Sequence, residues 1–312
     1  MALFAPHPAF DRVFAPGSLS LGLVLPVSRG GETVPDPGGQ LAVARRADEL
    51  GFTALWVRDV PLNSPDYPDP IEHLDPWVHL GALAASTRRI ALVTGAIVAP
   101  LRHPVHVAKA ALSVDRLSGG RMILGLGSGD RPAEFEAFGA EVAQASEQYR
   151  DRWRAVEALV SGAGHVGPHG TETGRAVRPR PVHGHVPMLA IGSSGQTIDW
   201  VARNANGWAT YYRPLDRQKD RYAMWAAAVA KARPSGAPVF AAAMALDLVD
   251  DPDAAAEPFG LGLRVGRSGL LTELSHLRAL GVGHVMFNIH PGGRPIDEVL
   301  EELSSDVLVR LT

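Results

Sequence analysis

The feature that most constrains the fold of this chain is a repeated alternation between two kinds of segment. Short runs rich in Val, Ile, Leu and Ala are each followed by a stretch whose apolar residues recur with the period of a helix. Such alternation predicts parallel strands joined by crossover helices. Eight units can be counted, which favours an α/β fold of the closed (β/α)8 TIM barrel type over an open sheet.

The predicted strands are short, and several are apolar throughout, as expected for strands buried on both faces. They cover residues 19–26, 53–58, 90–98, 121–126, 188–191, 207–211, part of 239–249, and 283–289. Helices are predicted after Gly38, near 76–87, from Pro104 to about Leu117, and over 146–160, with others in the later gaps.

The length of 312 residues suits one barrel domain with insertions. We expect an amino-terminal arm over residues 1–17 and a single barrel domain over 18–312. Residues 161–187 are dense in Gly, Pro, His and Arg, so they predict an insertion between the fourth helix and the fifth strand.

Composition excludes several classes of protein. A formal net charge of −3 gives no broad cationic field, so nucleic-acid binding is not expected. There are no cysteines, which excludes disulfides and thiolate sites. Neither a signal-peptide pattern nor an apolar run of about 20 residues is present, so we expect no membrane segment and a cytoplasmic location.

Functional groups of such barrels lie at the carboxyl ends of the strands. One strand ends in the segment GLGSGD, at residues 125–130, which includes Gly127, Ser128 and Asp130. Its spacing is G-x-G-x-G, so it does not match the G-x-G-x-x-G dinucleotide-binding motif. Two interpretations remain: a tight turn, or small residues that let a planar ligand approach the backbone closely.

The next strand ends in IGSSGQT, at residues 191–197, and a helix follows at once. Its Gly192, Ser193, Ser194, Gly195 and Thr197 predict a phosphate site made from free amides and hydroxyls, although simple helix capping by serine is an equal alternative. The segment lacks the lysine of a nucleotide-binding P-loop, and it matches a hydrolase nucleophile elbow only with forced spacing.

The histidines give weaker signals. Four of them cluster in the predicted insertion, namely His165, His169, His183 and His185. Their spacing is not that of metal ligands, so no metal site is expected. Asp59, His79, His103 and His290 are placed near strand ends or helix starts, although a lone histidine more often makes a structural hydrogen bond than a proton transfer.

The stretch from residue 94 to 139 resembles the bacterial-luciferase-like monooxygenase family. It carries His-Pro before a helix at His103-Pro104, the pattern D-x-L-S-x-G-R from Asp115 to Arg121, and G-x-G-x-G from Gly125 to Gly129. The resemblance extends from about Leu19 to the eighth strand and weakens after Tyr212.

The resemblance implies an FMN site at the barrel mouth, with the flavin ring against the end of the third strand. Gly95-Ala96 corresponds to a cis peptide bond of the family. The family's phosphate-binding serine and threonine correspond to Ser194 and Thr197, with Ser193 beside them.

Two departures from the family pattern matter. Ser128 occupies the position of the arginine that luciferase uses for the phosphate, so a cation must come from elsewhere, for which Arg131 is a candidate. Val60 occupies the position of the catalytic histidine, so light emission is not expected. Asp59 remains a weak candidate for acid–base catalysis.

We therefore expect a flavin-dependent monooxygenase that receives reduced FMN from a separate flavin reductase and uses O2 to oxygenate a small organic substrate. Alternatives are a hydride-transferring oxidoreductase that uses the 8-hydroxy-5-deazaflavin coenzyme, and a non-catalytic flavin-binding protein. The resemblance also implies a homodimer. Candidate aromatic walls of the pocket are Trp56, Trp208, Tyr211 and Phe287.

Overall fold

The computed structural model describes residues 4–28, 33–162, 176–289 and 292–311 of the chain. In chain order its strands are β1 (Ser20–Leu25), β2 (Ala54–Val57), β3 (Ala91–Thr94), β4 (Ile97–Val98), β5 (Met122–Gly127), β6 (Met188–Ile191), β7 (Gly207–Tyr211), β8 (Phe240–Leu248), β9 (Glu257–Phe259), β10 (Gly262–Val265) and β11 (His284–Asn288). Eight parallel strands form a closed barrel when β3 and β4 are counted as one interrupted strand and the short β9 and β10 are left out. The last strand, β11, closes the ring because it pairs with both β8 and β1. The predicted TIM barrel is confirmed.

Helices alternate with these strands. They are α1 (Pro8–Val13), α2 (Pro37–Glu49), α3 (Pro76–Ser86), α4 (Pro104–Ser118), α5 (Pro132–Ala137), α6 (Ala145–Val160), α7 (Ile198–Asn204), α8 (Leu215–Ala232), α9 (Arg267–Leu280) and α10 (Ile296–Glu302). Four of them start with a proline that follows a side-chain cap, which comes from His7, Asp36, Asp75 or His103. Proline suits the first turn because its missing amide hydrogen would have no partner there.

The strands bury both faces, and their side chains divide between two apolar clusters. Residues pointing outward pack against the helices in one large cluster. Residues pointing inward fill the barrel, and many are small, such as Ala54, Ala91, Ala209 and Ala241. Small inward residues leave room at this level of the barrel for one large side chain, that of Trp56, which is 1% exposed.

Helix α1 lies at the amino-terminal end of the barrel. Its Ala9 and Val13, with the following Phe14, belong to the inward-facing cluster. Ser20 Oγ donates to the carbonyl of Val13 at 2.7 Å, which ties the helix to β1. Helix α1 therefore covers the end of the barrel opposite the functional loops.

A buried histidine links two barrel strands below the mouth. Trp56 Nε1 donates to His284 Nε2 at 3.0 Å, and His284 Nδ1 lies 2.6 Å from Ser20 Oγ. Burial lowers the pKa of His284 to about 3, so the ring is neutral. Because Nε2 accepts from Trp56, the proton of the neutral ring is on Nδ1 and points to Ser20.

The structure differs from the predicted elements in three places. The third strand is interrupted at Gly95-Ala96, so it appears as β3 and β4. The short helices α1 and α5 were not predicted, and neither was the antiparallel pair of β9 and β10, which extends the sheet beside β8. Across the described ranges, no helix is both long and apolar enough to cross a bilayer.

Candidate active site

The carboxyl end of β3 forms a flat patch of backbone at the barrel mouth. Gly95 and Ala96 are both partly exposed, and the peptide bond between them is cis, as the resemblance implied. The Trp56 ring lies directly beneath, since a Cβ on Gly95 would meet Trp56 Cε3 at 2.8 Å. Gly127 adjoins the patch, because a Cβ there would come within 3.1 Å of Ala96 Cβ. The two glycines allow this close packing, since a side chain at Gly95 would collide with Trp56 and one at Gly127 would crowd Ala96.

The loop between β6 and α7 reaches the same region, since a Cβ on Gly127 would lie 4.0 Å from the carbonyl oxygen of Ile191. Its residues Gly192, Ser194 and Gly195 all have positive φ angles, that of Ser194 being 51°. The amides of Ser193, Ser194 and Thr197 have no hydrogen-bond partner within the described ranges. Such a group of amides suits an anion.

Two hydroxyls of that loop are engaged in hydrogen bonds within the chain, one of them in helix capping, which was the alternative interpretation of the segment. Ser194 is buried, and its Oγ donates to the carbonyl of Ile191 at 2.8 Å. Thr197 Oγ1 accepts from the amide of Trp200 at 3.3 Å and so caps α7. Ser193 is exposed. The backbone amides are therefore better placed for an anion than the hydroxyls of Ser194 and Thr197.

A charged network forms another side of the mouth, and sequence analysis missed most of it. Arg131 Nη2 donates to Asp69 Oδ2 at 2.9 Å, and Arg58 Nη2 lies 2.8 Å from the same oxygen. Burial alone would raise the pKa of Asp69, but the hydrogen bond from His73 and the charge of Arg58 outweigh it, so the pKa is well below its usual value. The Arg131 guanidinium is thus already paired, which argues against it as the phosphate-binding cation.

Tyr67 connects this network to the predicted Gly-rich segment. Its hydroxyl donates to Asp130 Oδ2 at 3.2 Å, and the Arg131 guanidinium lies 4.5 Å from the centre of its ring. Ser128, within this segment, is partly exposed. The loop over residues 61–75 is thereby fixed against the end of β5.

Asp59, the weak catalytic candidate, is held in a structural ion pair. Its two carboxylate oxygens accept from Arg102 Nε at 2.7 Å and Arg102 Nη2 at 2.6 Å. The amide of Val98 also donates to Asp59 Oδ2, at 3.2 Å. With its side chain 1% exposed and both oxygens bonded, Asp59 is poorly suited to proton transfer.

Glu134 is a buried carboxyl group that the sequence did not single out. It lies in the first turn of α5, and its Oε1 has no hydrogen-bond partner within the described residues. Burial raises its pKa to about 7, against the opposing charge of Arg131, whose Nε is 4.0 Å away. The sequence feature that could have identified Glu134 is its position just after the Gly-rich segment of residues 125–130.

The histidine candidates have different surroundings. His79 is buried on α3, and burial lowers its pKa to about 4. His103 is exposed and caps α4. His165, His169 and His290 lie outside the described residues. His183 and His185 pack around His7 with ring centres 5.2 and 5.4 Å from it, and the described part of the chain holds no group of side chains arranged to bind a metal.

Of the four aromatic candidates for the pocket wall, two face the mouth. Trp56 lies under Gly95, and Tyr211 at the end of β7 is 52% exposed. Phe287 is fully buried in the outer cluster against the helices. Trp208 packs on the same outer cluster, and its Nε1 donates to the carbonyl of Gly192 at 2.6 Å.

The D-x-L-S-x-G-R segment, from Asp115 to Arg121, has a structural role. The carboxylate of Asp115 accepts from the amide of Val182 at 2.8 Å. Arg121 is 7% exposed, and its guanidinium donates to the carbonyls of Ala84, Thr87 and Ile90. The motif therefore joins the end of α3 and the start of β3 to the start of β5.

Comparison with known proteins agrees with this architecture. The family model described as luciferase-like monooxygenase matches residues 19–269. An uncharacterized protein of Mycobacterium tuberculosis is 32% identical over 199 residues, which are 56% of this chain and 68% of that protein.

Three solved structures have the same fold. The monooxygenase RslO1 from Streptomyces bottropensis superposes with a TM-score of 0.78 at 19% identity, covering 94% of this chain and 100% of that one. An F420-dependent secondary alcohol dehydrogenase gives 0.74 at 15% identity, covering 94% and 99%. The oxygenating constituent of 3,6-diketocamphane monooxygenase from Pseudomonas putida, in complex with FMN, gives 0.72 at 16% identity, covering 95% and 99%. The chain belongs to the luciferase-like monooxygenase family.

Proposed function

We propose that this chain is a monooxygenase that binds reduced FMN at the barrel mouth and uses O2 to oxygenate a small organic substrate. The observation that carries the proposal is the partly exposed backbone of Gly95 and Ala96, which lies above the Trp56 ring at the end of β3. A planar ring can rest on such a patch because Gly95 carries no side chain and that of Ala96 is a single methyl group. The FMN bound to a structure of the same fold supports the choice of cofactor.

The chain would hold the cofactor through its backbone. The amides of Ser193, Ser194 and Thr197 would bind the phosphate, since they have no partner within the described ranges and lie in a loop with positive φ angles. Gly192 and Gly195 would allow the loop to follow the phosphate closely. The patch at Gly95 and Ala96 would set the position of the ring.

Reduced FMN, when bound, supplies two electrons that allow one atom of O2 to enter the substrate while the other becomes water. The role of the protein is then to exclude bulk water and orient the substrate over the ring. The loop over residues 61–75 is suited to this because Arg58, Asp69 and Arg131 fix it beside the mouth. We propose that a separate reductase supplies the reduced cofactor.

A second candidate is hydride transfer with the deazaflavin coenzyme F420. The solved F420-dependent secondary alcohol dehydrogenase, whose fold covers 94% of this chain, favours it. The two candidates share the backbone patch, because both cofactors carry a flat tricyclic ring. They differ in whether O2 takes part.

The experiment is a cofactor titration of the wild-type full chain and of the variant Ala96→Phe. The variant places an aromatic ring on the backbone patch at Gly95 and Ala96. We expect reduced FMN to bind the wild type, and Ala96→Phe to weaken binding by about tenfold or more. Ala256→Phe, at an exposed position between β8 and β9, is the matched control and should bind as the wild type does.

Mixing the reduced complex with O2 then separates the candidates. Reoxidation of bound FMN at a rate different from that of free reduced FMN supports the monooxygenase, and tight binding of F420 without O2 uptake supports hydride transfer. FMN that binds yet reoxidises as in free solution supports a non-catalytic flavin carrier. If Ala96→Phe binds every cofactor as the wild type does, the proposal that the cofactor ring lies on the backbone patch at Gly95 and Ala96 is wrong.

We also propose a homodimer through α3 and α4. The resemblance to the family implies a dimer, and Val78 on α3, 69% exposed, and Leu117 on α4, 65% exposed, are large apolar side chains that such an interface would cover. A light-scattering mass equal to one chain would exclude this.

A further inference from the structure

A second opening lies outside the barrel, where α6 packs against the amino-terminal end of α4. It is a cavity of about 280 Å³. One wall consists of Leu101, Arg102 and His103, and the other contains Phe138 with Gln148 and Arg152 of α6. None of the residues predicted to bind the cofactor lines it. We call it the α4–α6 pocket.

Arg152 is the unusual residue of this pocket. Its Nε is buried and has no hydrogen-bond partner, and its guanidinium pairs with no carboxylate, as far as the described residues go. Two residues along the helix, Arg154 is 67% exposed and lies 3.9 Å from Asp151. A buried N–H group without a partner is unfavourable, so Arg152 is placed to receive an acceptor from outside the chain.

Gln148 lies four residues before Arg152, and therefore on the same face of α6. Its Nε2 donates to Gln144 Oε1 at 3.1 Å, while its Oε1 is buried and has no partner within the described ranges. The pocket thus presents an unpaired donor from Arg152 beside an unpaired acceptor from Gln148. A ligand that satisfies both must accept at one atom and donate at another.

The opposite wall adds further donors. His103 Nδ1 accepts from the amide of Val105 at 3.3 Å, so the ring can donate only from Nε2. Arg102 gives Nε and Nη2 to Asp59, and its Nη1 has no partner within the described part of the chain. None of the nine residues that line the pocket is acidic. Because Arg102 is already paired with Asp59, Arg152 supplies the uncompensated positive charge among these residues.

We propose that the α4–α6 pocket binds a small oxyanion that carries a hydroxyl hydrogen, as hydrogen phosphate does. Its oxygen atoms would accept from Arg152 and His103, and its hydroxyl would donate to Gln148 Oε1. Charge-assisted hydrogen bonds from arginine are the usual means of holding such groups. The apolar side chains of Leu101 and Phe138 would shield them from water.

The experiment is a calorimetric titration of the full chain with inorganic phosphate and, at equal ionic strength, with sulfate. Sulfate has the same shape but carries no proton near neutral pH, so it cannot donate to Gln148. We expect phosphate to bind more tightly than sulfate. Arg152→Met should weaken phosphate binding by about tenfold or more, because a charge-assisted bond is lost. Gln148→Leu should abolish the preference for phosphate over sulfate.

Three controls make the result specific. Arg154→Met removes a cation from the exposed face of α6 and should change phosphate affinity by less than about twofold. The titrations are run with FMN at saturating concentration, because the loop over residues 193–197 is itself proposed to bind a phosphate, and Arg152→Met should bind FMN as the wild type does, so this site and the cofactor site can fail separately. Arg152→Lys, which keeps the charge, guards against misfolding and should retain part of the binding.

The proposal is wrong if phosphate does not bind the folded wild type. It is also wrong if phosphate binds Arg152→Met and the wild type equally, or if sulfate binds as tightly as phosphate.

Discussion

Arg102 holds Asp59 by a two-pronged ion pair, with hydrogen bonds of 2.7 and 2.6 Å between residues 43 positions apart. The carboxylate also accepts from the amide of Val98, just beyond the backbone patch at Gly95 and Ala96. This ion pair joins the end of β2 to the segment after β4. It therefore fixes the position of the backbone patch on which the cofactor ring is proposed to lie.

Asp59→Asn should lower the free energy of unfolding by about 3 kcal/mol, because it removes the carboxylate bonded to both Nε and Nη2 of the partly buried Arg102 and leaves only the more exposed Asp75 as a counter-charge. The position of the pH optimum should not move, since Asp59 transfers no proton. Chemical denaturation and a pH–rate profile measure the two quantities. Asp75→Asn is the control, because Asp75 is 3.6 Å from Arg102 and asparagine still caps α3. A shifted pH profile at unchanged stability would give Asp59 a chemical role.

Arg121→Met should destabilise the barrel by about 3 kcal/mol. The substitution keeps an apolar stem but leaves the buried carbonyls of Ala84, Thr87 and Ile90 without a donor, at about 1 kcal/mol or more each. Urea unfolding measures the loss. Arg116→Met, on the exposed face of α4, should change stability by less than about 0.5 kcal/mol. Equal losses in the two variants would contradict this account of the motif.

His7→Asn should make stability less dependent on pH. Burial, with the nearby charges of His185 and His183, lowers the pKa of His7 to about 4 from 6.5. Below pH 6.5 the unfolded chain binds a proton that the folded chain does not, so stability decreases as the pH falls from 6.5 to about 4. Asparagine can still cap α1 through the amide of Phe10.

The slope of unfolding free energy against pH should therefore decrease by about one proton, or about 1.4 kcal/mol per pH unit, in that window. Denaturation at several pH values measures the slope. His106→Asn, at an exposed position of α4, should leave it as in the wild type. An unchanged slope in His7→Asn would mean that His7 is protonated in the folded protein.

Glu134→Gln should stabilise the protein at alkaline pH. Because burial raises the pKa of Glu134 to about 7, the folded chain keeps a proton that the unfolded chain loses above pH 4.5. The wild type therefore loses stability as the pH rises from 4.5 through about 7, by at most about 3 kcal/mol. The advantage of the variant should be full above pH 7 and absent below pH 4.5. Thermal denaturation across this range tests it, and a variant that is less stable at pH 8 contradicts it.

The barrel could be predicted from the sequence because its strands and helices leave local periodic signals. The strands at Met188–Ile191 and Gly207–Tyr211 have the predicted bounds. Helix α1 was missed because its six residues lie among prolines, although Ala9 and Val13 have helical spacing. The cis bond at Gly95-Ala96 came from the resemblance, whereas the interruption of the third strand between β3 and β4 was not predicted because it has no signal in hydropathy.

The side-chain partners in the site were not predictable in the same way. Asp69 meets Arg131 across 62 positions, and Trp56 meets His284 across 228. Nothing in the local pattern of either residue indicates its partner, because such pairs form only when the barrel closes. For the same reason Asp59 looked like a free carboxylate at a strand end, although Arg102 pairs with it.

Helix α1 also determines from which end of the barrel a ligand can bind. Inward-facing side chains fill the barrel, and Ala9, Val13 and Phe14 cover one of its ends, so a ligand can approach only the opposite end. The cofactor and the substrate of the proposed reaction would therefore share one face of the barrel, and the ligand that binds first limits the room left for the second.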